Sequence, residues 1–480
     1  MSIAIRTATI LLACATLASA QAVPDRSRAP VPGAPPAVTL PAIAKRTLSN
    51  GVPVWIVEQH EVPVAHLSLV VRAGATSDPA GKAGLASLVT SLMTEGAGSR
   101  DALALADAID VLGASITAGA GWDASAVSLH VPVARLGDAL PLMADVALRP
   151  TFAAADVERV RTELLTSFIA QRDAPAAVSA RAFAHVVFGP THPYGTGVAG
   201  TTPSVKAIAI QDLKDAHARL FHPAHALLVV VGDVTADGVM PTLEQAFGGW
   251  KGQGTAPAPV TVATAPPTAK REIILVDKPG SAQSQIRIGA VGVSRSTPDY
   301  AALTVMNTIL GGSFTSRLNT NLRETHGYAY GAGSRFDMRR SQGLFFTTAS
   351  VQTDKTRESV QEFFNEFTRM LAPTPAGDLA KAKNYVALGY PADFETTRDI
   401  AGKLQELFVH GLPEDEPAQF VPKVNALTVA DLDAAAKKYI TPTRFVIVVV
   451  GDRAAVEPGL KALNLGPVRV VPLDVVMGEK

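Results

Sequence analysis

Apolar and polar positions along this chain follow two periods, and both recur. Val52–Val57 is entered through the turn Leu48-Ser49-Asn50-Gly51 and reads as a strand, as does the alternating run His66–Arg72. A helical period follows over about 83–94, and a longer polar helix over Asp156–Gln171. The half closes on the apolar run LFHPAHALLVVVGDV, Leu220–Val234. A second set has the same order: strands at 272–277 and 284–292, a helix over 298–310, later helices, and the closing run YITPTRFVIVVVGDR, Tyr439–Arg453.

The two sets are in register. Asp212, Pro223 and Gly232 each lie 219 positions before Asp431, Pro442 and Gly451. A constant offset across three landmarks indicates duplication of a whole domain. Strands mixed with amphipathic helices predict an α+β fold. It consists of two homologous domains, each a mainly antiparallel sheet covered by helices. The expected boundaries are an N-terminal domain over 41–248, a Pro/Ala/Gly/Thr-rich linker over 249–270, and a C-terminal domain over 271–480.

Composition narrows the partners. Apolar residues make up 47% and charged residues 18%, which excludes a disordered chain. Lys+Arg and Asp+Glu are both 43, so no basic field exists to draw nucleic acid. At the N-terminus, Arg6 precedes the apolar run Ala8–Ala18, and Ala18-Ser19-Ala20 fits a cleavage site. Residues 1–20 therefore read as a signal peptide and 21–40 as a flexible Pro/Ala leader, so the protein is expected to be exported and periplasmic. The sole cysteine, Cys14, ends Leu11-Leu12-Ala13-Cys14, which resembles a lipobox. Lipidation of Cys14 and envelope attachment stay open beside cleavage after Ala20. Either way the folded part has no thiol for catalysis and no disulfide.

Candidate chemistry centres on Gly84–Met93, GLASLVTSLM. It has the frame of an H-x-x-E-H helix, which presents two zinc-binding His and a Glu base on one face. The three positions are Ser87, Thr90 and Ser91. Hydroxyls are poor zinc ligands and cannot act as bases near neutral pH. No base motif accompanies these serines to make them nucleophiles. His217, His222 and His225 form H-x4-H-x2-H, a conceivable relocated metal site. Pro223 breaks the segment and Arg444 takes the place of His225 in the repeat, which favours a structural or surface set. His192, in HPYG, is expected to fix its loop, Glu163 to be a solvated helix charge, and His326 a solvated loop His.

The ordered motifs resemble the pitrilysin (insulinase-like) metallopeptidase family over nearly the whole exported length. They are the Asn-Gly-Val start, GLASLVTSLM with TEGAGSRDA, HPYG at His192–Gly195, LGGSFTSRL at Leu310–Leu318, LRETHGYAY at Leu322–Tyr330, and the two GD-ending strands. In active members zinc is held by H-x-x-E-H and by a Glu on a later helix. The resemblance puts the His pair on Ser87 and Ser91, the Glu base on Thr90, and the distal ligand on Ser167. It implies no metal site in this chain. It also implies that Arg323 and Tyr330 reach the substrate, with Tyr328 a second choice for the Tyr. Gly311 and Gly312 either let the Arg-bearing helix approach closely or cap a helix.

Some family members are two-chain enzymes in which one subunit carries the zinc motif and the other the Arg/Tyr pair. The resemblance then implies a non-catalytic subunit. It would pair with a homologous zinc-binding subunit, and zinc would reside in that partner. A peptide substrate would bind as an added strand on the partner's sheet edge. A periplasmic peptide-binding or scaffold protein without peptidase activity is the alternative.

Overall fold

Strand-forming runs separated by short turns build two six-stranded sheets. The structure is a computed structural model that describes Ser27 and residues 42–479 except 255, 257 and 259. The expected signal peptide, Cys14 and nearly all of the leader lie outside the described residues.

The first half contributes β1 (Ala44–Thr47), β2 (Pro53–Glu58), β3 (Val64–Val71), the two-residue β4 (Gly96–Ala97) and β5 (Arg100–Asp101), β6 (Ser115–Ala120), β7 (Ser125–Pro132) and β8 (Ala226–Gly232). The second contributes β9 (Glu272–Asp277), β10 (Gln283–Val291), β11 (Ala329–Asp337), β12 (Leu344–Gln352), β13 (Val446–Gly451) and β14 (Val468–Val470). The sheets run β1-β2-β8-β3-β7-β6 and β11-β12-β10-β13-β9-β14. Strands β2, β3 and β7 start 219 positions before β9, β10 and β12, so the repeat is a repeat of structure. In each half the closing strand pairs parallel with the first long strand and antiparallel with the second. Most other pairings are antiparallel, as expected. The two sheets differ at one edge, which is β1 in the first and the C-terminal β14 in the second.

One face of each sheet is covered by helices of its own half. Leu85, Leu88 and Leu92 of the helix Leu85–Leu92 pack with Ile56, Leu67 and Leu129. Phe363 and Phe367 pack with Ile288, Ile447 and Val449 in the second half. The opposite faces are covered by exchange. Helix Pro175–Phe188, from the first half, places Val178, Phe183 and Val187 on Ile274, Val446 and Val448 of the second sheet. Helix Thr397–His410, its counterpart in the repeat, places Ile400, Leu404 and Leu407 on Val57, Leu227 and Val229 of the first. This is why every residue of β8 and β13 is buried: each strand is covered on both faces. Each sheet is thus covered by helices, as expected, one face by its own half and the other by the other half.

Polar contacts seat the exchanged helices. The Tyr194 hydroxyl donates to Asp123 at 2.8 Å, and the Arg340 N–H donates to the same carboxylate at 3.0 Å. Arg339 lies 4.4 Å from the ring centre of Trp122 and 4.5 Å from that of Tyr194. Arg72 donates to the Phe408 carbonyl at 2.9 Å and stacks on that ring. Beneath helix Thr397–His410, His66 faces His130 across β3 and β7, and Gln405 donates to Ser68 at 3.1 Å. Among the described residues, no helix is long and apolar enough to cross a membrane.

Two predictions follow from this exchange. Phe183 belongs to the first half but is fully buried on the second sheet. Phe183→Ala should cost about 3–5 kcal/mol, and both halves should unfold in one transition in denaturant melts. Two separated transitions would contradict the shared cores. The second concerns pH. Burial, with smaller contributions from His130 and Arg398, holds His66 down to about 4 from 6.5. The unfolded chain therefore binds the proton first. Stability is full above pH 6.5 and falls toward pH 4, by up to about 3 kcal/mol from this group. Melts at pH 7 and 4.5 should show the loss, and His66→Gln should reduce it.

Candidate functional site

The helix Leu85–Leu92 starts at Gly84, whose left-handed backbone (φ 94°) lies against the Ala199 carbonyl, where a Cβ would approach to 2.4 Å. Asp78 accepts from the N–H groups of Gly84, Leu85 and Ala86 at 2.8–3.1 Å. Its burial pushes its carboxyl up to about 6. Sequence reasoning missed Asp78, because a cap six residues ahead of the helix has no fixed spacing.

At two of the four positions matching a zinc site, the hydroxyl bonds to its own backbone. Thr90 is buried, and its hydroxyl donates to the carbonyls of Ala86 and Ser87 at 3.1 and 3.0 Å. Ser167, on the neighbouring helix Ala154–Asp173, donates to the Leu164 carbonyl at 2.7 Å. Ser87 is half-buried and Ser91 exposed. No imidazole or carboxylate stands among these four, so they do not fit a zinc ion. Glu163 is an exposed charge paired with Arg159 at 3.0 Å. Among the described residues no three His, Cys, Asp or Glu side chains group to hold a metal.

His217 and His222 turn to separate partners, and the His222 and His225 ring centres lie 6.3 Å apart. His217 bonds the Ala147 carbonyl at 2.9 Å and stacks on Phe221. His222 accepts from the Ala224 N–H at 3.2 Å and is overlain by linker residue Gly252. His192 accepts from the Tyr194 N–H at 3.1 Å and bonds the Ala263 carbonyl at 3.0 Å, tying its loop to the linker.

The second half presents a different group to solvent. Thr308–Gly312 and Thr320–Thr325 are π-helical turns, a geometry frequent at functional sites. Neither Gly311 nor Gly312 has a left-handed backbone, so they are not a helix cap of that kind. Gly311 instead lets β11 come close: a Cβ there would lie 2.3 Å from the Ser334 nitrogen. Asn307 and Ser334 fix this approach with bonds of 2.7 and 3.1 Å. Buried Asn319 donates to the Phe314 carbonyl at 2.6 Å and accepts from the Ala332 N–H at 3.1 Å.

Between Ala329 and Ala332 the β11–β12 register slips in a bulge. The bulge turns Tyr330 outward, leaving it 89% exposed. Arg323, on the second π-helical turn, lies 5.2 Å from the Tyr330 ring centre and 4.6 Å from that of Phe314, which is 66% exposed. The guanidinium is thus held between two exposed rings. Tyr328 instead packs partly into the second core and stacks on His326 at 4.9 Å. His326 is exposed, 3.9 Å from Glu362. Phe314 was not singled out from the sequence. Its signal is an aromatic placed just after Gly311-Gly312, on a loop that has no need of one.

The profile of insulinase, peptidase family M16, matches residues 54–188, and that of the peptidase M16 inactive domain matches residues 207–386. The chain belongs to the M16 family. Within it, this M16 chain is a member without catalytic zinc ligands. An uncharacterized zinc protease of Mycobacterium leprae is 28% identical over 72% of this chain and 77% of its own length. The non-peptidase homolog YmxG of Helicobacter pylori is 22% identical over 84% and 92%. The crystal structure of a peptidase M16 inactive domain from Pseudomonas fluorescens has a TM-score of 0.80 and 28% identity, covering 85% of this chain and 98% of that one.

For this M16 chain the geometry separates display from support. Tyr330→Ala should leave stability within about 0.5 kcal/mol, whereas Gly311→Ala should cost about 1–3 kcal/mol by forcing β11 away. Thermal denaturation of the two variants checks this.

Proposed function

We propose that the chain is the non-catalytic subunit of an exported two-chain zinc peptidase. It pairs with a homologous subunit that holds the zinc and the base, and the two enclose an extended peptide. The observation that carries this reading is a contrast within one chain. All four zinc-site positions hold hydroxyls, two of them (Thr90 and Ser167) bonded to their own backbone, while Phe314 and Tyr330 are exposed on either side of a partly exposed Arg323, which also pairs with Glu324 at 3.2 Å. A guanidinium and a phenol O–H donate to a peptide carbonyl oxygen as negative charge grows on it, which stabilises the transition state. Cleavage after Ala20 leaves the subunit periplasmic, and lipidation of Cys14 would anchor it to the envelope.

The test is purification from the cell envelope with and without the partner. The expected result is a zinc-binding homologue in the complex, peptidase activity only in the complex, and a loss of roughly 10²-fold in turnover for Arg323→Ala. Chelator-sensitive activity from this chain alone would overturn the proposal. The name of the Helicobacter relative, a non-peptidase homolog, favours one other reading, a peptide-binding or scaffold protein. That reading expects a complex with no peptidase activity.

A further inference from the structure

Arg181, Arg287, Arg335 and Arg339 line one cavity of about 310 Å³ at the junction of the halves. Arg181 comes from the exchanged helix Pro175–Phe188, and the other three from or beside β10 and β11 of the second sheet. The carboxylate lining this cavity is Asp337, which bonds Arg339 through Nε at 3.2 Å and Nη2 at 2.7 Å. Three positive charges are left over.

Some of their donors are unmet. Arg339 is only 7% exposed, and its Nη1 has no partner. The Nε of Arg287 is also buried without one. Its guanidinium lies 4.3 Å from the Phe346 ring centre, and burial brings it down to about 10. The acceptors for Arg181, the Met477 carbonyl and the Gln171 amide oxygen, are both 3.5 Å away, at the outer limit of a hydrogen bond. Glu479 also faces Arg181 but is committed to Arg172. Arg335 is exposed and has no ion-pair partner among the described residues.

Four converging cations, one buried and two half-buried, with a single carboxylate lining the cavity among them are destabilising unless something neutralises the excess. Guanidinium forks match the paired oxygens of carboxylates and phosphates. The volume sits at the lower end of small-molecule sites, which run about 300–1,000 Å³. We infer that this cavity binds a small multivalent oxyanion, of phosphate or polycarboxylate type, held by Arg181, Arg287, Arg335 and Arg339. The ligand draws on both halves, so its binding fastens the junction between them. The inference is independent of the peptidase-subunit reading, since none of these residues belongs to the Arg323 group.

The experiment is calorimetric titration of the full exported chain, in phosphate-free buffer of low ionic strength, with pyrophosphate and separately with citrate. The expected result is saturable binding of one ion per chain, weakened by added salt. Arg335→Gln and Arg287→Gln should each weaken it about ten-fold or more, as loss of a charge-assisted contact implies. Arg335 is exposed and makes no structural bond, so its variant folds and keeps the test decisive. Tighter pyrophosphate assigns a phosphate ligand, and tighter citrate a carboxylate. Absence of saturable binding by either ion would overturn the inference, as would unchanged affinity in both variants.

Discussion

Burial of both faces of both sheets is the constraint on which this structure depends. A sheet with two apolar faces needs two covers, and each half supplies one for itself and one for the other. Helices Pro175–Phe188 and Thr397–His410 occupy equivalent places in the repeat and cross reciprocally. Neither β8 nor β13 could stay dry in an isolated half. The halves are duplicates in sequence but one body in energetic terms.

That shared body sets the geometry of everything functional. The second sheet is held against the first half by the exchanged helix, by Arg339 between Trp122 and Tyr194, and by the C-terminal segment, where Arg172 meets Asp474 at 2.7 Å. On this fixed sheet, the outer strand β11 carries a bulge, and the bulge carries Tyr330. Asn319 and the close approach of Gly311 keep the π-helical turns and the strand in one arrangement, so Arg323 meets its two rings. The arginine-lined cavity lies on the same junction and owes its existence to the exchange.

Much of the fold was legible because its signals are local. The 219-position offset showed duplication, and the apolar runs at 226–232 and 446–451 read directly as buried strands. The four-residue β1 was missed, since AKRT is short and mostly polar. Ser87, Thr90, Ser91 and Ser167 were picked out through the family resemblance, and their hydroxyls are poor zinc ligands whatever the fold does with them. Arg323 and Tyr330 were named through the family resemblance, and the fold brings the guanidinium 5.2 Å from the Tyr330 ring centre. Phe314, Asp78 and Asn319 were not named, because each acts across a turn or between elements with no set interval. Arg181, Arg287, Arg335 and Arg339 are scattered over more than a hundred and fifty positions, and no sequence window joins them.

By itself the sequence determined the number of repeats, the period of each element, and which side chains are chemically able to bind metal or donate to a carbonyl. Those properties belong to residue types and their near neighbours. Only the tertiary structure decided which sheet each apolar helix covers, which tyrosine turns outward, and where the arginines converge. An amphipathic helix carries the same stripe whichever sheet it buries. The choice rests on long-range packing, where the two faces of two sheets must be closed at once.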